Sequence, residues 1–567
     1  MDAQQLKKIK AEFDALRSER STWNTMYQIL GEYVSQIKQN FETQPTQGDF
    51  LVNEIYDSTG PFAAHAAAST LMGMLWPGTA GQSIEIVKPD DLEDESTELT
   101  DFYERMTSRL TRAMDDPKAN LTLSLDEYML DQLIFGTSGV GVDKGDESKL
   151  LYRPYGVKEA YIDEGRNGRV NKCSIFYEWT VNRTVDEYGL DKVSEKTREK
   201  YSGSKGQEKI KILHVIQPRR EAKAKKGKLA MKYASYHIEY DCDHLIVEDG
   251  FHEMPIMFGR FRKLTYEKQG RSPAMNALPD IREANSLRES VIIATEKALD
   301  MPKGVLDDGM LGGGVIDTSA HAINVFNASG STGSTPPIFD IGSPPDITAA
   351  LSRLEELKNS IAQHFFIDRL LDFNNETQMT FGEAQIRDQR SSASMTALFS
   401  RQIAEVISPL IERSVNMLWR MGEFGVLPDS DEEQAVLAKG KEPEYIPDEL
   451  IERLKNGEEI YQIVYKTKAA NAARAEEYMG ILDIMQIGLQ AMQVDPSVAN
   501  RLDLHEAVKE LAKIRGVAGG IIRQDDAVEA IQKAQAEQQQ QARLMETAPA
   551  MAGAVKDVAQ AEAMTRQ

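Results

Sequence analysis

The chain has 567 residues, 41% of them apolar and 27% charged, and a net charge of −23. That length allows more than one core. Its two cysteines, Cys173 and Cys242, supply no disulfide framework and fit a reducing compartment. With 89 acidic against 66 basic residues, it is not built to grip nucleic acid over its whole surface, which takes many cation–phosphate contacts, although a duplex could slide past it. The opening residues lack the apolar segment of a secretion signal, and no apolar run reaches the roughly eighteen residues that would suggest a membrane span.

In residues 1–45, Ile9, Phe13 and Leu16, then Trp23, Tyr27, Leu30 and Val34, recur near helical spacing and predict an amphipathic helix packed on a body. Over 56–77, Ser58 or Thr59 is placed to cap an Ala-rich helix with Pro61 in its first turn and Pro77-Gly78 as its stop. His65, with no other ligand type at metal spacing, reads as a packing residue. Further helices fill 97–135. After Phe135-Gly136 the period changes to two, and strands are expected at 140–143, 150–155, 173–181, 210–216, 231–240, 245–248 and 256–262. The basic run 219–228 is either a solvated hairpin tip or a contact for nucleic acid or an acidic partner.

The most informative stretch follows. A helix is predicted over 276–298, with Ala277, Ile281, Ala284, Leu287, Val291, Ala294 and Ala298 on one stripe. Arg282, Glu283, Arg288, Glu289, Glu296 and Lys297 lie on the other face. At about 1.5 Å per residue it is about 33 Å long. An irregular insert, 302–345, contains short strand candidates at Val305-Leu306, Val315-Ile316 and 323–326. A second helix resumes after Pro344-Pro345-Asp346 with Leu351, Leu354, Leu357, Ile361 and Phe365 as its stripe. Residues 379–424 predict a long helix kinked at Ser408-Pro409. An acidic, turn-rich segment (429–460), a strand (461–466) and helices to about Lys513 come next. The Ala/Gln/Met-rich tail is either a helix needing neighbours or disordered.

Nothing in this sequence assembles a catalytic, cofactor or metal constellation, so no enzyme, cofactor or metal is expected. The glycines from Gly136 to Gly141 precede a strand instead of opening a helix, which makes a poor phosphate cradle. Asp241-Cys242-Asp243-His244 alternates faces along an extended chain, and His252-Glu253 lacks a second histidine at the spacing a zinc protease needs.

Ordered short motifs do carry a resemblance. They are Asp57-Ser58-Thr59-Gly60 with the run 71–77, Phe135-Gly136-Thr137-Ser138, the run 214–219, Gly270-Arg271-Ser272-Pro273-Ala274-Met275 with Leu278-Pro279-Asp280-Ile281, Thr295-Glu296-Lys297 with Met301-Pro302, 380–390, 407–411 and 465–474. In this order they resemble the head-to-tail connecting (portal) proteins of short-tailed bacteriophages. Gln269 and Lys468-Ala469-Ala470 depart from that pattern, which often has Tyr and Pro-Leu-Ala there, and the resemblance fades after about residue 515.

The resemblance implies an α+β, mainly helical portal fold. Its parts would be a wing of helices and mixed sheet (1–275), stem helices (276–300 and 346–370) flanking a small α/β clip (301–345), a tunnel loop (371–379), a long kinked helix with a return to the wing (380–466), crown helices (467–515) and a tail (516–567). It implies a ring, usually of twelve copies, at one capsid vertex of the virion, made in the host cytoplasm. The ring would conduct double-stranded DNA during packaging and ejection, and dock the terminase and later the tail adaptor and tail proteins, in contact with capsid and scaffolding proteins and without membrane insertion. The alternative is a tail or scaffold component that binds only protein. The implied tunnel-loop residues are Asn374, Asn375 and Gln378. Channel-wall candidates are Glu296, Lys297, Arg353, Glu355 and Lys358; docking candidates are Val305, Val315, Ile316, Ile323 and Phe326. Twelve helices about 10 Å apart close a circle of about 19 Å radius and leave a passage on the order of 28 Å. Groove depths imply a duplex about 20 Å across, which fits.

Overall fold

A computed structural model describes residues 3–35, 55–76, 83–89, 96–220, 227–307, 316–327, 338–342, 346–367, 396–428 and 444–466, with Leu92 and a few residues between 480 and 511. The chain forms two compact units, Met1–Ala473 and Arg474–Gln567. The described residues of the second are helical; all that follows concerns the first.

Helix α1 (Ala3–Glu19) buries Leu6, Ile9 and Phe13 along one stripe, against Leu213, Val215 and Ile238. Helix α2 (Ser21–Leu30) continues into a π-helical turn, Gly31–Ser35, and buries Tyr27, Leu30 and Val34 in the main core. Helix α3 (Thr59–Leu75) is capped by Asp57, whose Oδ1 accepts from Thr59 N at 2.9 Å, whereas Ser58 makes no side-chain cap. Ala63, Ala64, Ala67 and Ala68 are buried and allow close helix packing, but His65 points outward, so its expected packing role is wrong for the monomer. Strand β1 (Ile84–Val87), helix α4 (Thr97–Met114) and helix α5 (Leu121–Phe135) follow.

Gly136 ends α5 with φ +81°, and the chain turns directly into β2 (Thr137–Asp143). Strands β3 (Leu151–Gly156), β4 (Ala160–Glu164) and β5 (Val170–Thr180) come next, then two short helices, α6 (Val181–Tyr188) and α7 (Glu195–Ser202). Strands β6 (Lys209–Pro218), β7 (Tyr233–Glu239), β8 (His244–Phe251) and β9 (Ile256–Arg260) complete the region. Two sheets result, ordered β3-β2-β9 and β4-β5-β6-β7-β8, and every pairing in them is antiparallel. The expected mixed sheet is therefore antiparallel here; β2 and β3, β4 and β5, and β7 and β8 are joined by connections too short for a crossover, and β5 and β6 pair antiparallel although α6 and α7 lie between them. One face of the five-stranded sheet packs on α1; the other carries Ile162, Cys173, Ile175 and Ile216 against Phe258.

Helix α8 (Pro273–Leu299) leads to three short strands, β10 (Lys303–Asp307), β11 (Ile323–Asn327) and β12 (Ile338–Asp340), and α9 (Thr348–His364) returns. Further on, α10 (Thr396–Gln402) passes through a π-helical turn, Ile403–Ile407, into α11 (Ser408–Arg420). The irregularity thus precedes the expected Ser408-Pro409 kink. Pro409 sits in the first turn of α11, where its missing N–H costs little. The π turn presents Glu405 to buried Arg260, accepting from its backbone N–H at 3.0 Å and from its guanidinium at 2.8 Å. Gly259 allows the approach: a Cβ there would overlap Tyr128 Oη, which itself bonds Gln402. Helix α12 (Asp448–Asn456) lies in the segment expected to be acidic and turn-rich, and β13 (Gln462–Tyr465) pairs antiparallel with β1, tying distant parts of the chain together.

Candidate functional site

Helices α8 and α9 form an antiparallel hairpin with the three short strands at its far end. Its root is held by residues from three of the ordered motifs. Ser272 caps α8, accepting from Met275 N at 3.1 Å, and donates to Ile134 O at 2.8 Å. Gly270 N donates to Thr137 Oγ1 at 2.7 Å, and Phe261 N to Gly136 O at 2.9 Å. Gly136 and Gly270 cross so closely that a Cβ on either would overlap the backbone of the other. Higher on α8, buried Asn285 accepts from Tyr56 N at 2.7 Å and Asp57 N at 3.2 Å. A Cβ on Gly60 would lie only 3.1 Å from Ile281. The segment preceding α3 is thus strapped across the middle of α8. Pro279, inside the helix, is exposed, so the Met275 carbonyl that loses its helical donor can meet water.

The two helices meet through buried Ile281, Ala284, Val291, Leu354, Leu357 and Ile361. Ser360 Oγ donates to Asp280 Oδ2 at 2.6 Å, and His364 lies 3.6 Å from the same oxygen. Val291 is the last buried residue of α8 and Leu354 the first of α9. Leu351, expected in the apolar stripe, is 40% exposed where the hairpin is one layer thick.

The channel-wall candidates are mostly charges already matched within the hairpin. Arg353 bonds Glu283 at 3.0 Å and Glu356 at 3.1 Å, and Glu283 first, then Glu356, hold its guanidinium above its ordinary pKa. Lys358 bonds Glu355 at 2.7 Å. Glu296 is exposed, and its carbonyl accepts from Asp300 N at the helix end. Lys297 lies near Asp317, whose carboxyl is held below its ordinary pKa mainly by Ser319 and in part by Lys297. Asn374, Asn375 and Gln378 lie outside the described residues, as does Val315.

The distal sheet is ordered β11-β10-β12, with β10 parallel to β11 and antiparallel to β12. Within the chain β11 and β12 fill the two edges of β10, so pairing between subunits, the expectation for these strands, would fall to the outer edges of β11 and β12. The described residues of the insert form strands, turns and irregular segments. The register sorts the docking candidates by face. Val305, Ile323, Val325 and Ile338 share one face, on which Ile323 is 70% and Ile338 60% exposed. Phe326 is on the other, with its ring 5.7 Å from that of Phe339, which covers Gly304; a Cβ there would lie 2.5 Å from the ring. Ile316 is exposed and precedes β11. Two small clasps that no sequence motif announces fix the tip. Asp300 accepts from His321 Nδ1 or its protonated form at 2.6 Å, and Asn324 bonds both the N–H and the carbonyl of Asp317 at 2.7 Å. Strand β12 likewise has no counterpart among the expected strands.

Among the described residues no cluster of three His, Cys, Asp or Glu could hold a metal ion, and no helix is long and apolar enough to cross a membrane.

The family model described as bacteriophage head to tail connecting protein matches residues 6–522. Over 564 residues the chain is 22% identical to the portal protein of Salmonella phage epsilon15, spanning 96% of this chain and 94% of that one. Over 547 residues it is 23% identical to a probable portal protein of Bordetella phage BPP-1, spanning 94% and 92%. A chain from the virion of a native gene transfer agent particle aligns with 66% of this chain and 94% of its own length, at 13% identity and a TM-score of 0.27.

Proposed function

The chain belongs to the bacteriophage head to tail connecting protein family, and from that membership we infer that it is a portal protein, a ring of about twelve copies through which double-stranded DNA enters and leaves the capsid. The observation that best supports a conduit is the α8–α9 hairpin. Two of its cations, Arg353 and Lys358, are paired with carboxylates on the same hairpin. Charges matched in this way offer a passing duplex few strong phosphate contacts. In this reading α8 and α9 are the stem, with Glu296, Lys297, Arg353, Glu355 and Lys358 toward the passage, and Asn374, Asn375 and Gln378 belong to a neutral loop that touches DNA without holding it.

The distal sheet serves as the clip. Its exposed face of Val305, Ile323, Val325 and Ile338 supplies apolar area for the terminase during packaging and for the tail adaptor afterwards, with Ile316 at its border. ATP hydrolysis belongs to the motor, and this protein contributes a passage and a docking surface at the capsid vertex.

Averaged electron micrographs of the purified protein along its symmetry axis should show closed rings with a central opening wide enough for a duplex. Monomers alone at high concentration would sink the ring. In phage carrying Ile323→Asp with Ile338→Asp, rings should persist while terminase docking and packaging fail. Absence of assembly together with normal packaging would favour a component that binds only protein.

A further inference from the structure

Beside the start of α8 lies a recess of about 120 Å³ lined by Arg262, Lys263, Arg271, Asn276 and His364, with Phe366 at its wall. We propose that this recess seats a backbone phosphodiester of the duplex, an inference that rests on the portal reading.

No carboxylate is among its described lining residues. Three acids approach the lining cations from outside: Glu164 at 2.7 Å from Lys263, Glu267 at 2.9 Å from Arg271, and Asp280 at 3.6 Å from His364. Arg262 differs. Its guanidinium lies 5.8 Å from the Phe366 ring, and it has no carboxylate partner among the described residues. It stands directly opposite Arg271 in an antiparallel bridge, with Arg262 N donating to Arg271 O at 3.2 Å. Like charges facing each other in this way are unfavourable; Glu267 already matches Arg271, which leaves exposed Arg262 as the member able to take an anion. The recess also adjoins the N-terminal end of the 27-residue α8, whose dipole favours an anion. A phosphodiester carries one delocalised negative charge and accepts the guanidinium fork, which matches this set. In a chain of net charge −23, this group of cations around one recess at the hairpin root gives a sliding duplex a place to be held in register.

The test uses assembled full-length rings, a short labelled duplex of mixed sequence, and anisotropy titrations between about 50 and 200 mM salt. Arg262→Gln should weaken binding and reduce the steepness of log K against log salt by about one for each phosphate no longer neutralised. Arg262→Lys should keep most of the salt dependence, whereas Lys149→Gln, on an exposed ion pair with Glu423, should change nothing. Unchanged binding and slope in Arg262→Gln rings would overturn the proposal. So would inorganic phosphate that binds in an Arg262-dependent way but does not compete with the duplex, which would make the recess a free-anion site. Should Arg262→Gln prevent assembly, a salt slope equal to wild type in Arg262→Glu and wild-type mixed rings would overturn it equally. Failure of the wild type to form rings removes the portal reading itself; normal rings and packaging with an indifferent Arg262 remove only this site.

Discussion

At the scale of single residues, the crossing of Gly136 and Gly270 explains why two motifs far apart in sequence sit together. Neither position has room for a Cβ, and Gly136 also needs its positive φ. Gly270→Ala should cost on the order of 3 kcal/mol, read as a lowered urea midpoint with an unchanged m-value. Such a need is legible only as a glycine in a motif; which backbone it approaches is not. Gln269 is buried with Oε1 lacking a hydrogen-bond partner. Gln269→Met should therefore raise stability by about 1 kcal/mol, visible as a higher melting temperature. A histidine pair was invisible to sequence reading because its members are on different strands. His214 and His237 stack at 3.9 Å, with His214 bonded to Ser235, His237 to Tyr188, and Asp249 nearby. Burial, and for His214 also the other ring, lowers both pKa values, that of His237 to about 4. Between the unfolded value near 6.5 and about 4, the unfolded chain binds a proton that the folded one refuses. Stability should therefore fall as pH drops through that window, by on the order of 2 kcal/mol for His237 after allowing for its partial exposure. His237→Phe should flatten the dependence of the urea midpoint on pH; an equally steep fall in that variant would refute the assignment.

At the scale of elements, long periodic helices were legible and short irregular ones were not. The stripe through Ile281, Ala284 and Val291 located α8, and Leu354, Leu357 and Ile361 located α9, because burial on one side imposes a helical period. Helices α6 and α7 escaped notice because eight residues give barely two turns, and their charged composition leaves only the Thr180 and Ser194 caps as signals. Strand β12 has three residues, fewer than any alternation can mark. The distal sheet was anticipated as strands pairing between subunits, not as pairings within the chain, since register depends on partners that the sequence does not identify. Energetically the hairpin is unequal along its length. Removing the exposed Arg353–Glu283 bridge by Arg353→Ala should leave the urea midpoint nearly unchanged. Asn285→Ala withdraws the acceptor of two backbone N–H groups in a buried setting and should cost about 1–3 kcal/mol. A urea comparison of the two variants with wild type decides this ordering.

At the scale of the whole molecule, the fold class and the family were readable from ordered motifs, while the site was readable only in outline. The sequence marked charged residues on the polar sides of both helices but not that Arg353 and Lys358 are matched within the hairpin, nor that Arg262 is not. That difference depends on three-dimensional neighbours. The way α8 is mounted has a mechanical consequence. It is fixed from Pro273 to Asn285 by the glycine crossing and the Tyr56–Asp57 strap, and runs on to Leu299 with little support. At about 1.5 Å per residue, roughly 20 Å is clamped and roughly 20 Å overhangs. This is a cantilever with its load at the tip. A push delivered to the distal sheet becomes a bending moment at Asn285, and the first element able to register that load is the strap leading into α3.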